Sequence, residues 1–170
     1  MPFTIRKMTT SDIPSVQAIV KKTWNATYEG IIPSEIQESF LNAAYSDASM
    51  EHRVTNSLLL VAEVEEKAVG FANYSPVSLE GKAELGAIYI DPAHQGLGIG
   101  TALLKEGINR LEGVKEIYLN VESDNEIGKT FYKAKGFNVV GEFDDNFDGH
   151  ILKTLRMVLD TELFLADGAS

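Results

Sequence analysis

Apolar residues recur along the chain with two periods, and the switches between them mark the elements. Phe3–Lys7 predicts a short first strand. Thr10-Ser11-Asp12 then offers helix N-terminal acceptors, with Pro14 near the first turn, and Ile13, Val16, Ile19 and Val20 form a stripe at helical spacing. Trp24–Pro33 is aromatic and turn-rich. A helical stretch follows Pro33 with Ile36, Phe40 and Leu41 inward, and another spans Ala48 to about Asn56. Leu58–Val64 and Val69–Tyr74 are β-rich runs joined through Glu65-Glu66-Lys67 as a hairpin, and a loop around Pro76–Lys82 leads to a third run, Ala83–Ile90. From Gly98 to Glu112, Leu103, Leu104, Ile108 and Leu111 share a helical face. Ile117–Val121 is a strand. Asn125 caps a helix that Gly136 ends, and Phe137–Phe143 and Leu152–Leu159 close the pattern as strands. Counting the two stretches after Pro33 as one, the order is β-α-α-β-β-β-α-β-α-β-β. That is a mixed α/β domain, not a repeated βαβ barrel. Residues 1–160 form one domain and 161–170 a tail expected to fray, whose Leu163-Phe164-Leu165 docks on the domain or on a partner subunit.

At 170 residues the chain suits one domain with a sizeable core. It contains no cysteine, which removes disulfides, thiolate metal sites and a cysteine nucleophile, so no metal is expected. The start, MPFTIRKMTT, lacks an apolar signal region, and no apolar run approaches a membrane span. A cytoplasmic protein without a membrane partner is the expectation. The net charge of −10 leaves no basic footprint, which argues against nucleic acid. The same charge fits plain solubility and fits a cationic substrate drawn in by the protein's field.

The most informative segment is Asp91-Pro92-Ala93-His94-Gln95-Gly96-Leu97-Gly98-Ile99-Gly100-Thr101, which leaves a strand and opens a helix. Glycines at alternate positions let backbone amides approach a ligand, and the following helix adds its positive end. This suits a pyrophosphate. It is not a Walker loop, since no Gly-Lys-Ser/Thr ends it, and it lacks the G-x-G-x-x-G spacing of a dinucleotide fingerprint.

Gln95-Gly96-Leu97-Gly98-Ile99-Gly100 resembles the Gln/Arg-x-x-Gly-x-Gly/Ala signature of GNAT N-acetyltransferases. Glu84–Pro92 looks like that family's fourth strand, and Asn125–Phe137 resembles its second motif, with Asn, Tyr and Gly-Phe in step. The resemblance implies a single-domain GNAT fold, a mixed central β-sheet flanked by helices, with acetyl-CoA as acyl donor. It implies backbone contacts to CoA from Ile88, Ile90, Gln95, Gly96, Leu97, Gly98, Ile99, Gly100 and Thr101. Asn125 and Tyr132 lie seven residues apart, on one helical face, with Gly128 and Lys129 between them toward the cofactor. The family more often has alanine at Gly128, so this glycine is a departure. In the family a tyrosine at the position of Tyr132 supplies a proton or hydrogen bond to the departing thiolate. Packing under the sheet is the structural alternative for this ring.

The acceptor ammonium must lose a proton before attack, and a carboxylate near the thioester is the usual solution. Glu84, eleven residues before Gln95, has the spacing that some GNAT proteins, notably histone-acetylating ones, use for a catalytic glutamate. Strand parity places Glu84 with Gly86, Ile88 and Ile90, unless a bulge at Gly86 changes the count. A backbone N–H around Ala87–Tyr89 is the expected oxyanion donor. Thr23–Pro33 resembles a Trp-x-x-x-Tyr-x-Gly-x-x-Pro stretch found in GNAT acceptor walls. Trp24, Tyr28 and Glu29 are therefore candidates to hold a cation, with Tyr74 a further substrate candidate; a hydrophobic corner explains the aromatics equally. His52, His94 and His150 share no ligand spacing. The expected function is direct acetyl transfer to a primary amine of a small molecule, polyamine-like or otherwise cationic. The open alternatives are protein N-terminal acetylation and a non-catalytic acyl-CoA sensor, and a homodimer through the last strands or the tail also stays open.

Overall fold

The computed structural model describes residues 2–147 and 149–166. Along it run β1 (Thr4–Lys7), α1 (Ile13–Tyr28), α2 (Ser34–Ala44), α3 (Asp47–Asn56), β2 (Leu58–Val64), β3 (Lys67–Tyr74), β4 (Lys82–Ile90), α4 (Ile99–Arg110), β5 (Glu116–Glu122), α5 (Glu126–Ala134), β6 (Asn138–Phe147), β7 (His150–Asp160) and α6 (Thr161–Ala166). The strands form one seven-stranded sheet ordered β1-β2-β3-β4-β5-β7-β6. Its alternating apolar residues bury both faces. Leu60, Ala72, Ile117, Leu119 and Met157 of the sheet pack against Leu103 and Leu104 of α4, while Val61 and Phe71 pack with Val16, Val20 and Trp24 of α1 and Met50 of α3. This is the mixed α/β domain that the pattern predicts, with the central sheet flanked by helices that the GNAT resemblance implies.

Every neighbouring pair is antiparallel except β4 and β5, whose parallel ladder lasts only from Lys82↔Glu116 to Glu84↔Tyr118. The second half of β4 pairs with β3 alone. On that side the register slips: Asn73 pairs with Ala87 but Tyr74 with Leu85, leaving Gly86 as the extra residue of a bulge. The bulge swaps the faces. Ala83 and Leu85 before it, and Ile88 and Ile90 after it, all pack on the α4 side, whereas Ala87 and Tyr89 pack on the α1 side. Glu84 therefore does not share a face with Ile88 and Ile90, a correction to the simple parity count.

Three further differences have local causes. Helix α1 continues through Trp24 to Tyr28, because those two rings extend the stripe of Val16 and Val20 and bury with it. The last hairpin is longer than the apolar runs suggested, reaching Phe147 before a turn in which Asn146 Oδ1 accepts from the Gly149 N–H at 2.6 Å. The tail is not frayed over residues 161–166. The Thr161 hydroxyl bonds the Val114 and Lys115 carbonyls, and Phe164 enters the α4-side core; residues 167–170 lie outside the described residues.

Tyr74, a substrate candidate from sequence, is fully buried under α4 and its hydroxyl donates to the Leu103 carbonyl at 3.0 Å. The ring seats on Gly107, where a Cβ would lie 2.3 Å from Tyr74 Cζ. Tyr74 is core, not acceptor wall. Gly107→Ala is expected to overpack this contact and destabilise the fold by about 1–3 kcal/mol, read as a lower denaturation midpoint; an unchanged midpoint would mean the ring is not held there.

Candidate active site

Where β4 and β5 part, a cleft of about 1280 Å³ opens between them, lined on one side by Leu85–Ile90 and on the other by Asn120, Val121 and Glu122. Helices α1 and α5, the first turn of α4, the tip of β6, and Phe40 of α2, Arg53 of α3 and Asn73 of β3 complete its walls.

One half is built by the glycine turn. Asp91 anchors it, accepting from the Ala93 N–H at 2.9 Å and pairing with Lys22 at 3.2 Å. Gly96 and Gly98 have φ of +80° and +84°, the left-handed region, and a Cβ at either would meet nothing within 4 Å. Both face open cleft. Gly98 caps α4 without a side-chain partner, so the first-turn amides of α4 are left for a ligand. Gly100 has a different role: a Cβ there would lie 3.0 Å from Phe131 Cζ, so it lets α5 close against α4. His94 Nδ1, buried and lining the cleft, has no hydrogen-bond partner among the described residues. Open left-handed glycines, uncapped helix amides and an unpartnered ring nitrogen together fit an anionic ligand.

The wall opposite is α5. Asn125 caps it, its Oδ1 accepting from the Gly128 N–H at 2.9 Å. A Cβ on Gly128 would fall 2.7 Å from Asn125 Nδ2. Gly128 is the third residue of α5, where glycine costs up to about 1 kcal/mol against alanine; here it makes room for the capping amide. Tyr132 lines the cleft with Phe131 and Phe137 edge-on at 5.6 Å each. Burial, and secondarily the charge of Glu122, push its phenol well above the usual range, so it stays protonated.

The other half of the cleft is aromatic and acidic. Trp24 stacks on Phe40 at 4.8 Å and tilts against Tyr28 at 4.7 Å, and Phe147 packs edge-on to Phe40 at 5.2 Å. The indole N–H donates to the Tyr89 hydroxyl at 2.9 Å. Tyr28 donates to Glu122 Oε2 at 2.6 Å. Burial raises the Glu122 pKa above the ordinary carboxylate value; the Tyr28 bond opposes this and the charge of Asp145 adds to it. The folded chain thus holds this proton more tightly than the unfolded one. The stability from this group is fully present below the unfolded pKa and is lost as pH rises through the folded one, so the ionised carboxylate costs stability at neutral pH.

Residues 18–137 match the model of the acetyltransferase (GNAT) family. The chain belongs to the GNAT family. It is 30% identical over 147 residues to a spermidine N(1)-acetyltransferase of Thermoplasma acidophilum, covering 82% of this chain and 90% of that protein. Among solved structures it is similar to the PaiA N-acetyltransferase of Thermoplasma acidophilum in complex with coenzyme A, with a TM-score of 0.81 and 27% identity over 94% of this chain and 99% of that one. It is also similar to the ribosomal-protein-S18-alanine N-acetyltransferase of Escherichia coli, with a TM-score of 0.70 and 25% identity over 94% of each chain. The general activity of this GNAT chain is N-acetyl transfer from acetyl-CoA. Among the described residues no helix is long and apolar enough to cross a membrane, and no group of three or more His, Cys, Asp or Glu is placed to hold a metal ion.

Of the residues singled out from this GNAT sequence, Ile88, Ile90, Gln95, Gly96, Gly98, Ile99, Gly100, Thr101, Asn125, Gly128, Tyr132, Trp24 and Tyr28 all line the cleft. Five others do not: Tyr74 is core, Glu29 lines a separate pocket with Asn25 and Ile31, and Leu97, Lys129 and Glu84 lie elsewhere. Leu97 is 42% exposed on the outer side of the turn, and Lys129 pairs with Glu126 at 2.8 Å. Glu84 is held by Arg156, which also covers the Tyr118 ring at 4.8 Å. Glu84 is level with Tyr118, four residues before Glu122 on β5, or roughly 13 Å at strand rise. Its carboxylate is an ion-pair partner outside the cleft, which corrects the expectation of a base there. Sequence reasoning missed Glu122, Asp145, Tyr89 and Phe147 and read Phe40 only as an inward helix residue. For Glu122 a signal existed: it alternates with Ile117, Leu119 and Val121, three residues before Asn125.

Gly98→Ala, which forces a side chain into left-handed backbone at about 1–2 kcal/mol, is expected to weaken CoA binding about tenfold by calorimetry. Unchanged affinity would place the anion elsewhere.

Proposed function

We propose that this chain transfers the acetyl group of acetyl-CoA to a primary amine of a small, polyamine-like cation. The observation that carries this reading is the half-buried Glu122, bonded by Tyr28 and set beside the Trp24–Phe40–Phe147 wall. Aromatic faces and a desolvated carboxylate both favour an alkylammonium over a neutral or anionic acceptor. The net charge of −10 steers such a cation inward, and the similarity to a spermidine N(1)-acetyltransferase supports the same class.

In this reading the amides of Gly96, Gly98 and Thr101 take the pyrophosphate, and the unpaired edge of Ile88–Ile90 takes the pantetheine amides. The amine nitrogen attacks the thioester carbon from the aromatic half. A backbone N–H of Ala87–Tyr89 receives the charge on the carbonyl oxygen. As the C–S bond breaks, Tyr132 hands its hydroxyl proton to the sulfur and regains one from the substrate nitrogen.

Release of CoA thiol from acetyl-CoA is expected to saturate with spermidine or spermine and to be slow with short peptides and aminoglycosides. Preference for peptides with free N-termini would overturn the substrate class in favour of N-terminal acetylation. CoA binding with no turnover of any amine would favour a sensor. Tyr132→Phe is expected to lower kcat by about 10²-fold with CoA affinity held within a factor of about three; an unchanged kcat would remove the acid role.

A further inference from the structure

We propose that Glu122 takes the proton from the incoming ammonium, and that Tyr28 and Asn125, given room by Gly128, position it for that step. This rests on the acetyltransferase reading but not on which amine is accepted. Glu122 stands on the β5 lip of the cleft, four residues past the last β4–β5 pair, level with the β4 stretch around Ile88. It faces the α1 side, where the Trp24 wall lies, and not the α4-side core. The Glu84 carboxylate is occupied by Arg156, whereas Glu122 lines the cleft, half-buried and bonded by Tyr28.

The support around Glu122 is continuous. From α1, Tyr28 donates to Oε2. Burial and the Glu122 charge hold Tyr28 as a neutral phenol, so it remains a donor. The Asn125 side-chain amide faces the same hydroxyl and makes it a better donor. Because Asn125 Oδ1 is fixed by the Gly128 N–H, its Nδ2 is the end turned toward Tyr28. A Cβ on Gly128 would fall on that Nδ2. Glycine here therefore serves the chemistry: alanine suits the helix better but displaces the amide. From β6, Asp145 faces Glu122 and opposes its ionisation; from α5, Tyr132 faces it as a neutral phenol; from β7, the residue across the ladder is the uncharged Thr154. Asn125 thus ties the helix carrying the acid Tyr132 to the carboxylate that acts as base.

The step balances. The ammonium R–NH3⁺ gives one proton to the Glu122 carboxylate, and the neutral amine forms the N–C bond. The second nitrogen proton reaches the departing sulfur through Tyr132, and Glu122 releases its proton to solvent. One amide, one thiol and one proton leave.

The test is kcat/KM against pH for the intact protein, using whichever amine it turns over fastest, with acetyl-CoA affinity measured on each variant as a fold control. Wild-type activity is expected to fall on acidification through a pKa above the ordinary glutamate value. Glu122→Gln should lower kcat/KM at neutral pH by about 10²-fold or more. Its residual rate should rise about tenfold per pH unit, tracking the free fraction of an alkylamine. Glu122→Asp should recover part of the loss. Tyr28→Phe and Gly128→Ala each weaken the hydrogen bonding that favours the carboxylate, so both should move the acid limb to higher pH, a shift that a purely structural role does not produce. A Glu122→Gln profile of wild-type shape, or a loss confined to KM, would overturn the proposal and leave Glu122 an ammonium anchor. If Glu122→Gln fails to bind acetyl-CoA, the Tyr28→Phe limb decides: no shift overturns the assignment. Fastest turnover of a peptide amine would sink the polyamine reading and still test Glu122. Turnover of no amine would overturn both.

Discussion

The parallel ladder between β4 and β5 ends after three residue pairs, and the rest of the molecule's chemistry depends on that ending. A strand in the middle of a sheet must satisfy its backbone donors and acceptors. The second half of β4 does so on one edge only, with β3, and presents its other edge to the cleft. The same divergence leaves space at the N-terminus of α4, where the turn supplies amides in left-handed glycine geometry without a side-chain cap. Ladder edge and helix end lie along one cleft. An extended ligand with amides at one end and phosphates at the other matches that sequence of groups, as a CoA arm does.

The acceptor half obeys a different constraint. Its aromatics are part of the α1-side core: Trp24 and Tyr28 are buried and continue the helix stripe, so the wall is held by the same packing that holds the fold. Beside this wall the chain places a half-buried carboxylate, and burial disfavours its charged form. Tyr28 partly offsets that penalty. The outcome is a carboxylate that holds its proton more tightly than a solvated glutamate, because burial outweighs the Tyr28 hydrogen bond.

Much of this was legible in the sequence because it rests on local chemistry. The glycine turn reads from Gly96, Gly98 and Gly100 with the strand before and the helix after; the Asn125 cap and Tyr132 read from helical spacing; the hydrophobic periods set the succession of strands and helices along the chain. Other features depend on what the sequence does not print. The bulge at Gly86 reverses strand parity and puts Glu84 on the face opposite Ile88 and Ile90, and the Arg156 that occupies its carboxylate lies 72 residues away, so the spacing before Gln95 pointed to a carboxylate outside the cleft. Tyr74 and Tyr28 are alike in sequence context, each an aromatic near the end of an element. One meets Gly107 and buries under α4, and the other meets Glu122. Such distinctions arise from contacts 29 and 94 residues apart and need the fold. The tail is similar: Phe164 becomes core only because the sheet brings Val114 and Lys115 beside Thr161.

Hydrogen exchange on the intact protein with and without acetyl-CoA tests most directly whether the β4–β5 divergence is the donor site. Slowed exchange at the amides of Ala87–Ile90 and Gly96–Thr101, with β6 and β7 unchanged, is the predicted result. Protection confined to β6 and β7, or none in the glycine turn, would contradict it and move the donor site out of the divergence.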